Sequence, residues 1–326
     1  MKAHGRSSHV ESLEKRALFS SVGLPRPDHV VVLILEDHSY NELFAAPTAA
    51  SMQSWSVATP GAQTWDPNLR SLEARSASFT NARSIGNTNA VDYQALFSGL
   101  EPTGKTAVSS TAPNIASELT DAGLSFGGFA DGLPSVGYTG GNVGEYSTTH
   151  NPWLPFTNFP RSDGQPFGKF PDEKWSALPT VSYVIPDQTH NMHSGQVSQA
   201  DQWYQANVEP YADWAMKHNS LLIVTWDESH AANDQIPTLF YGPMVKPGQY
   251  SQPITQDNIL RTIEDMYGLA PTGEAASASP LTSVFKQPAA SQTPARRAAK
   301  AKAARLTGQG TAAGVHSSVF STVPVR

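Results

Sequence analysis

Two stretches of the 326-residue chain are apolar almost without interruption: HVVVLILED from His29 and LLIVTWDE from Leu221. Runs of this kind, rich in β-branched residues, predict strands buried on both faces of a parallel sheet. TVSYVIPD, from Thr180, predicts a third strand. NIASELTDAGLSFGGFA, from Asn114, reads as a helix ended by Gly123 and followed by another strand. Helical spacing appears in three further places. VDYQALFSG keeps Val91, Ala95 and Leu96 at helical intervals after a turn rich in Gly and Asn. QADQWYQANVEPYADWAMKHN, from Gln199, is a long helical stretch, and ITQDNILRTIEDMYGL puts Ile259, Ile263 and Met266 on one face. Strands alternating with helices predict an α/β fold, a sandwich around a mostly parallel sheet.

The remaining segments break this rhythm. Residues 132–175 are rich in Gly, Pro and aromatic residues with little periodicity, which predicts long ordered loop or cap material. After Gln287 the chain is Ala, Ser, Thr and Pro with scattered Lys and Arg, the composition of a disordered tail. The expected organisation is an N-terminal extension over 1–27, one α/β domain over 28–287 and a basic tail over 288–326.

Charge sharpens the division. The formal net charge is −6, but the tail holds Arg296, Arg297, Lys300, Lys302, Arg305 and Arg326 and no acid, which leaves −12 on the rest. An acidic body argues against nucleic acid as a partner, because neutralising phosphates needs clustered Lys and Arg. The absence of cysteine excludes disulfides, thiolate catalysis and zinc–thiolate sites. No signal-like segment opens the sequence and no run of about 18 apolar residues occurs, so membrane insertion is not expected. The expected location is cytoplasmic, or secreted if a leader has been removed.

Both long apolar runs end in adjacent acids, Glu36–Asp37 and Asp227–Glu228. Ligands of open α/β sheets bind beyond the carboxyl ends of the strands. Four carboxylates converging there repel unless a cation sits among them, and oxygen ligands suit Mg, Ca or Mn, or Zn if imidazole joins. Histidines follow the same geography: His150 in HNPW, His190 and His193 in PDQTHNMHSG, and His230 in WDESHAAND. Of these, His150 and His193 are the stronger candidates for chemistry.

HVVVLILEDHSY, YQALFSG, HNPW, NMHSG, SLLIVTWDE, IPTLFYGPMVKPG and ILRTIEDMYGL resemble, in this order, the phosphoesterase family of bacterial acid phosphatases and phospholipases C, within the alkaline phosphatase superfamily. The resemblance spans about Asp28 to Lys286. It implies an alkaline-phosphatase-like α/β/α sandwich and a divalent metal held by acids at two strand ends, here Glu36, Asp37, Asp227 and Glu228. It also implies a Ser or Thr nucleophile at a helix N-terminus, with histidines around the phosphate. Metal and helix together would lower the pKa of a hydroxyl that attacks phosphorus.

Several central residues depart from that pattern. An ENHSY-like motif is EDHSY here, so Asp37 replaces a neutral residue. Against HPSxPNYLALFSG the chain reads NTNAVDYQALFSG, with Asn87 in a histidine's place, Asn89 in the nucleophile's and Asp92 in an asparagine's. Gln256 stands where a histidine is usual. A carboxamide is no nucleophile toward phosphorus, although its oxygen can bind a metal, and Thr88 carries the right hydroxyl one residue early. The resulting assignment has Thr88, Asn89, His150 and His193 as catalytic candidates, with Asn87, Asp92, His190 and Gln256 binding substrate. The expected function is a metal-dependent phosphoesterase acting on a small molecule. The alternatives are a non-hydrolytic lyase, isomerase or cyclase step, or an anion-binding protein without turnover. Asp37 and Asp92 add negative charge where neutral groups are expected, which predicts weak binding of a doubly charged phosphate monoester.

Overall fold

The computed structural model describes residues 23–45, 66–86, 88–102 and 110–286. Asn87, the tail beyond 286 and all of the N-terminal extension before Gly23 lie outside these described residues. The four predicted strands form as β1 (His29–Leu35), β3 (Phe126–Ala130), β5 (Val181–Ile185) and β6 (Ser220–Trp226). With β2 (Ala77–Arg83), β4 (Gly164–Pro166), β7 (Gln235–Tyr241) and β8 (Gly248–Tyr250) they build one eight-stranded sheet, in the order β4-β3-β5-β1-β6-β7-β2-β8. Pairing is parallel everywhere except where β7 meets β6 and β2.

Every residue of β5 and β6, and all of β1 after His29, is buried, as expected when helices cover both faces. The helices fall into two groups. In one, α3 (Asn89–Ser98) packs on α7 (Gln256–Tyr267), and Tyr183 of β5 donates its hydroxyl to Leu96 O at 2.8 Å. In the other, α2 (Pro67–Glu73), α5 (Val197–Asn207) and α6 (Glu209–Ala215) pack in succession, and Tyr211 Oη donates to Leu221 O at 3.1 Å. Two further helices are α1 (Tyr40–Leu43) and α4 (Ile115–Asp121).

The single helical stretch expected from Gln199 is two helices. Pro210 lacks the N–H needed to continue a helix, so α5 ends at Asn207 and α6 begins with Pro in its first turn. Strands β2 and β7 were not expected from the sequence, and their pairing shows why. Phe79 pairs with Thr238 and Ala82 with Ile236, so Thr80 and Asn81 together oppose the single residue Pro237. That bulge falls where proline has no N–H to give, letting it sit inside a sheet while breaking the alternation that would have marked β2.

The parallel strands deliver the site. β3, β5, β1 and β6 are adjacent and all point the same way, so the segments that follow them emerge at one edge of the sheet. Leu35 pairs with Trp226, which sets Glu36 beside Asp227, and Asp227 N donates to Leu35 O at 3.0 Å.

Candidate active site

Glu36 is fully buried and forms the centre of the cluster. Its Oε1 accepts from Tyr93 Oη at 2.9 Å and Asn191 Nδ2 at 2.8 Å, with His150 Nδ1 at 3.0 Å. Its Oε2 accepts from Asn89 Nδ2 at 2.8 Å, with His193 Nδ1 at 3.1 Å. His193 Nδ1 also lies 3.0 Å from Asp37 Oδ2, and His230, largely exposed, reaches Asp37 Oδ1 at 3.7 Å. Burial raises the Glu36 pKa, but the charges and hydrogen bonds of His150 and His193 outweigh it and hold the carboxyl below its ordinary value. In return, chiefly the hydrogen bond that His193 donates to Glu36 pushes His193 up to about 9.

The loop between β2 and α3 is tied down by two of the unusual residues. Asp92 Oδ1 accepts from the main-chain N–H of Ile85 at 3.0 Å and of Gly86 at 2.7 Å. A Cβ on Gly86 would lie 3.1 Å from Asp92 Oδ2, so this close approach suits a residue without a side chain. Gln256 Oε1 accepts from Ile85 N at 3.1 Å while its Nε2 donates to Asp227 O at 2.6 Å. Oδ1 of Asp92 thus serves the loop's own amides.

Four acids nevertheless crowd together. Burial first, and then neighbouring carboxylates, push Asp37, Asp227 and Glu228 above their ordinary values, with Asp227 raised furthest. Burial takes Asp92 to about 7. Asp227 Oδ1 accepts from Glu228 N, but Asp227 Oδ2 is buried without a partner. A divalent cation among these acids would relieve the repulsion and give the orphaned oxygen a ligand's role. The ligand atoms here that already lie within 4.8 Å of one another are those of Glu36, His150 and His193, the nitrogen–oxygen chemistry that suits zinc.

Most of the expected residues meet here, and His190 lies elsewhere. Glu36, Asp37, Asn89, His150 and His193 share direct contacts, and Asp227, Glu228, Asp92 and Gln256 adjoin them. Thr88 caps α3 without a side-chain hydrogen bond, and its Oγ1 is buried with no partner. His190 does not face Glu36: its Nδ1 is 2.7 Å from Asp187 Oδ1 and 3.8 Å from Asp131 Oδ2, its ring stacked on Trp203. Asn87 lies outside the described residues. Sequence reasoning missed Tyr93 and Asn191. Tyr93 falls one helical turn after Asn89 and so shares its face, a spacing that could have revealed it. Asn191 is buried, accepts from His193 N at 2.9 Å and gives its own C=O to Glu36 N at 2.8 Å, a clamp with no signature in the sequence.

The phosphoesterase family matches residues 48–270. The chain belongs to the phosphoesterase family. Family membership makes it a hydrolase acting on phosphoric esters. A relative in Mycobacterium tuberculosis (strain ATCC 25618 / H37Rv), named phosphatidylinositol-3-phosphatase, is 37% identical over 268 residues, 80% of this chain and 84% of the relative. The fold is similar to that of an alkaline phosphatase superfamily protein from Vibrio parahaemolyticus, with a TM-score of 0.53 at 13% identity over 85% of this chain and 80% of that one. A lipoteichoic acid synthase from Listeria monocytogenes has the same TM-score at 10% identity, covering 84% and 79%. This phosphoesterase therefore has the alkaline-phosphatase-like α/β fold expected from its motifs. Among the described residues no helix is long and apolar enough to cross a membrane.

Proposed function

We propose that this phosphoesterase hydrolyses a small phosphate ester with the help of a divalent cation, and that water, not a side-chain hydroxyl, attacks phosphorus. The observation that carries this reading is at the first residue of α3. There the side chain aimed into the cluster is the carboxamide of Asn89, donating to Glu36 at 2.8 Å. The neighbouring hydroxyl, Thr88 Oγ1, is buried and makes no hydrogen bond that would orient it for attack.

Glu36, Asp37, Asp227 and Glu228 would hold the cation, which supplies positive charge to the phosphoryl oxygens and makes water more acidic. Asn89 and Tyr93 keep Glu36 oriented toward that position. His193 is 37% exposed, so an incoming ester can reach it, while its Nδ1 is held by Glu36 and Asp37. That placement suits it to protonate the departing alcohol oxygen as the ester bond breaks. The relative's name makes an inositol phosphate the first natural substrate to try.

The test is hydrolysis of p-nitrophenyl phosphate and bis-p-nitrophenyl phosphate with Mg, Ca, Mn or Zn, for wild type and Thr88→Ala. Both proteins should turn over within about threefold of each other, because the variant removes no reacting group. Acid quenching of a reaction with labelled phosphate ester should leave no label on the protein. Turnover lost in Thr88→Ala, with label trapped on the wild type, would make Thr88 the nucleophile. No turnover of any ester with any cation would assign the site to other chemistry.

A further inference from the structure

Next to the Glu36 cluster is a recess of about 220 Å³ between α3 and the turn that carries His150. Ala90 and Gln94 form one wall, one helical turn apart; Thr148, Thr149 and Asn151 form the other, with Pro152 and Pro155 beside them. The residues just before the first pair, Asn89 and Tyr93, contact Glu36, and His150, which also contacts it, lies between Thr149 and Asn151. Recess and cluster therefore lie along the same helix and the same turn.

We propose that this recess binds an uncharged, hydroxyl-bearing ring, and that in a substrate this ring is the alcohol part of the phosphate ester. The binding stands on the recess alone; only the role as alcohol subsite rests on the phosphoesterase chemistry proposed above. Three observations carry it. None of the described side chains lining the recess is ionisable, so they offer no counter-charge to a phosphate, carboxylate or ammonium group.

The second observation is Asn151, which is only 2% exposed. Its Nδ2 donates to Ser147 O at 3.0 Å, but its Oδ1 is buried without a partner. A buried carbonyl oxygen left unpaired is costly, and a small turn of the Asn151 amide toward the recess would let a ligand hydroxyl satisfy it. Thr148 and Thr149 place further hydroxyls at the rim, bonded at 2.9 Å to Asn142 Oδ1 and at 2.8 Å to Ser147 Oγ.

The third is size and wall chemistry. The volume equals about seven waters at ~30 Å³ each, the scale of one hydroxylated ring. Pro152 and Pro155 supply apolar surface for the C–H face of such a ring, while the amides and hydroxyls meet its edge.

The probe is myo-inositol, with cyclohexanol as the apolar control, added to the full-length protein and followed by saturation-transfer NMR and calorimetry. Two variants fill the recess, Ala90→Leu from the helix wall and Thr149→Phe from the exposed rim, where misfolding is not expected. Wild type should bind myo-inositol in preference to cyclohexanol, and each folded variant should bind it at least tenfold more weakly. The ratio of kcat/KM for inositol 1-phosphate to that for p-nitrophenyl phosphate should fall at least tenfold in the same variants. No binding of myo-inositol to wild type, equal binding in both variants, or tighter binding of cyclohexanol would overturn the proposal. Because binding is read without turnover, an inactive protein whose inositol affinity is lost on filling would refute the hydrolytic reading and leave the recess assigned.

Discussion

The carboxamide of Gln256 bridges Asp227 and the loop before α3, donating to Asp227 O at 2.6 Å and accepting from Ile85 N at 3.1 Å. A residue expected to bind substrate is thus a strut between two parts of the site. It is fully buried, so removing it leaves a main-chain carbonyl without this partner inside the protein. Gln256→Ala should cost about 1–3 kcal/mol of stability. Thermal melting should show a loss of several degrees, and a melting temperature equal to wild type would mean that the loop does not depend on the strut.

Cation binding should be visible without any assay of turnover. Carboxyls raised above their ordinary values stabilise the folded state at low pH and lose that contribution as pH rises, so the crowding of Asp37, Asp227 and Glu228 weakens the metal-free protein most under alkaline conditions. A cation at one hundred times its Kd adds about 2.7 kcal/mol. Adding Mg, Ca, Mn or Zn should therefore raise the melting temperature by several degrees at pH 8 and much less at pH 5. Asp227→Asn should blunt the rise. A flat response to all four ions at pH 8 would remove the cation from the site.

Restoring a hydroxyl at the helix start should alter the reaction path. Asn89→Ser gives up the bond to Glu36 but places an oxygen nucleophile on the residue that faces the cluster. The variant should hydrolyse p-nitrophenyl phosphate at least about tenfold faster than wild type, since a nucleophile acts as one unit with the groups around it. It should also retain label from the ester after acid quenching. A variant no faster than wild type and without label would show that the surroundings of Asn89 no longer support attack by a side chain.

Glu264 provides a test of the fold remote from the chemistry. It is fully buried on α7, where its Oε1 accepts from Thr272 N at 2.9 Å and Thr272 Oγ1 at 2.6 Å, while Oε2 has no partner. Burial pushes it up to about 8 from an ordinary 4.5. Its contribution is fully present below the unfolded value and declines as pH rises toward the folded one. Glu264→Gln keeps the acceptor and removes the charge, so it should melt close to wild type at pH 5 and several degrees higher at pH 9. Equal melting temperatures across that range would show that the ionised carboxylate is accommodated without penalty.

Strands β1, β5 and β6 were legible because burial on both faces requires apolar residues at every position, and their ends announced Glu36 and Asp227. β7 was not, because Pro237 argues against an interior strand unless a bulge lies opposite, and that bulge belongs to a partner more than 150 residues earlier. The site divides in the same way. Acids and imidazoles advertise themselves by residue type, and His150 and His193 were found. Tyr93 and Asn191 are neutral and act only through hydrogen bonds that the folded chain creates. His190 stands apart from Glu36 for a related reason: a turn after β5 sends it toward Asp187 and Asp131 while Asn191, its neighbour, turns to Glu36.

Asp37 adopts a φ of +65°, in the left-handed region that side chains other than Asn and Asp seldom enter, glycine apart. The backbone at the exit of β1 therefore limits this position to a very short alphabet. Two of its letters, amide and acid, have nearly the same shape and differ by one unit of charge. Exchanging one for the other would switch the charge beside Glu36 while the path of the chain stays where it was.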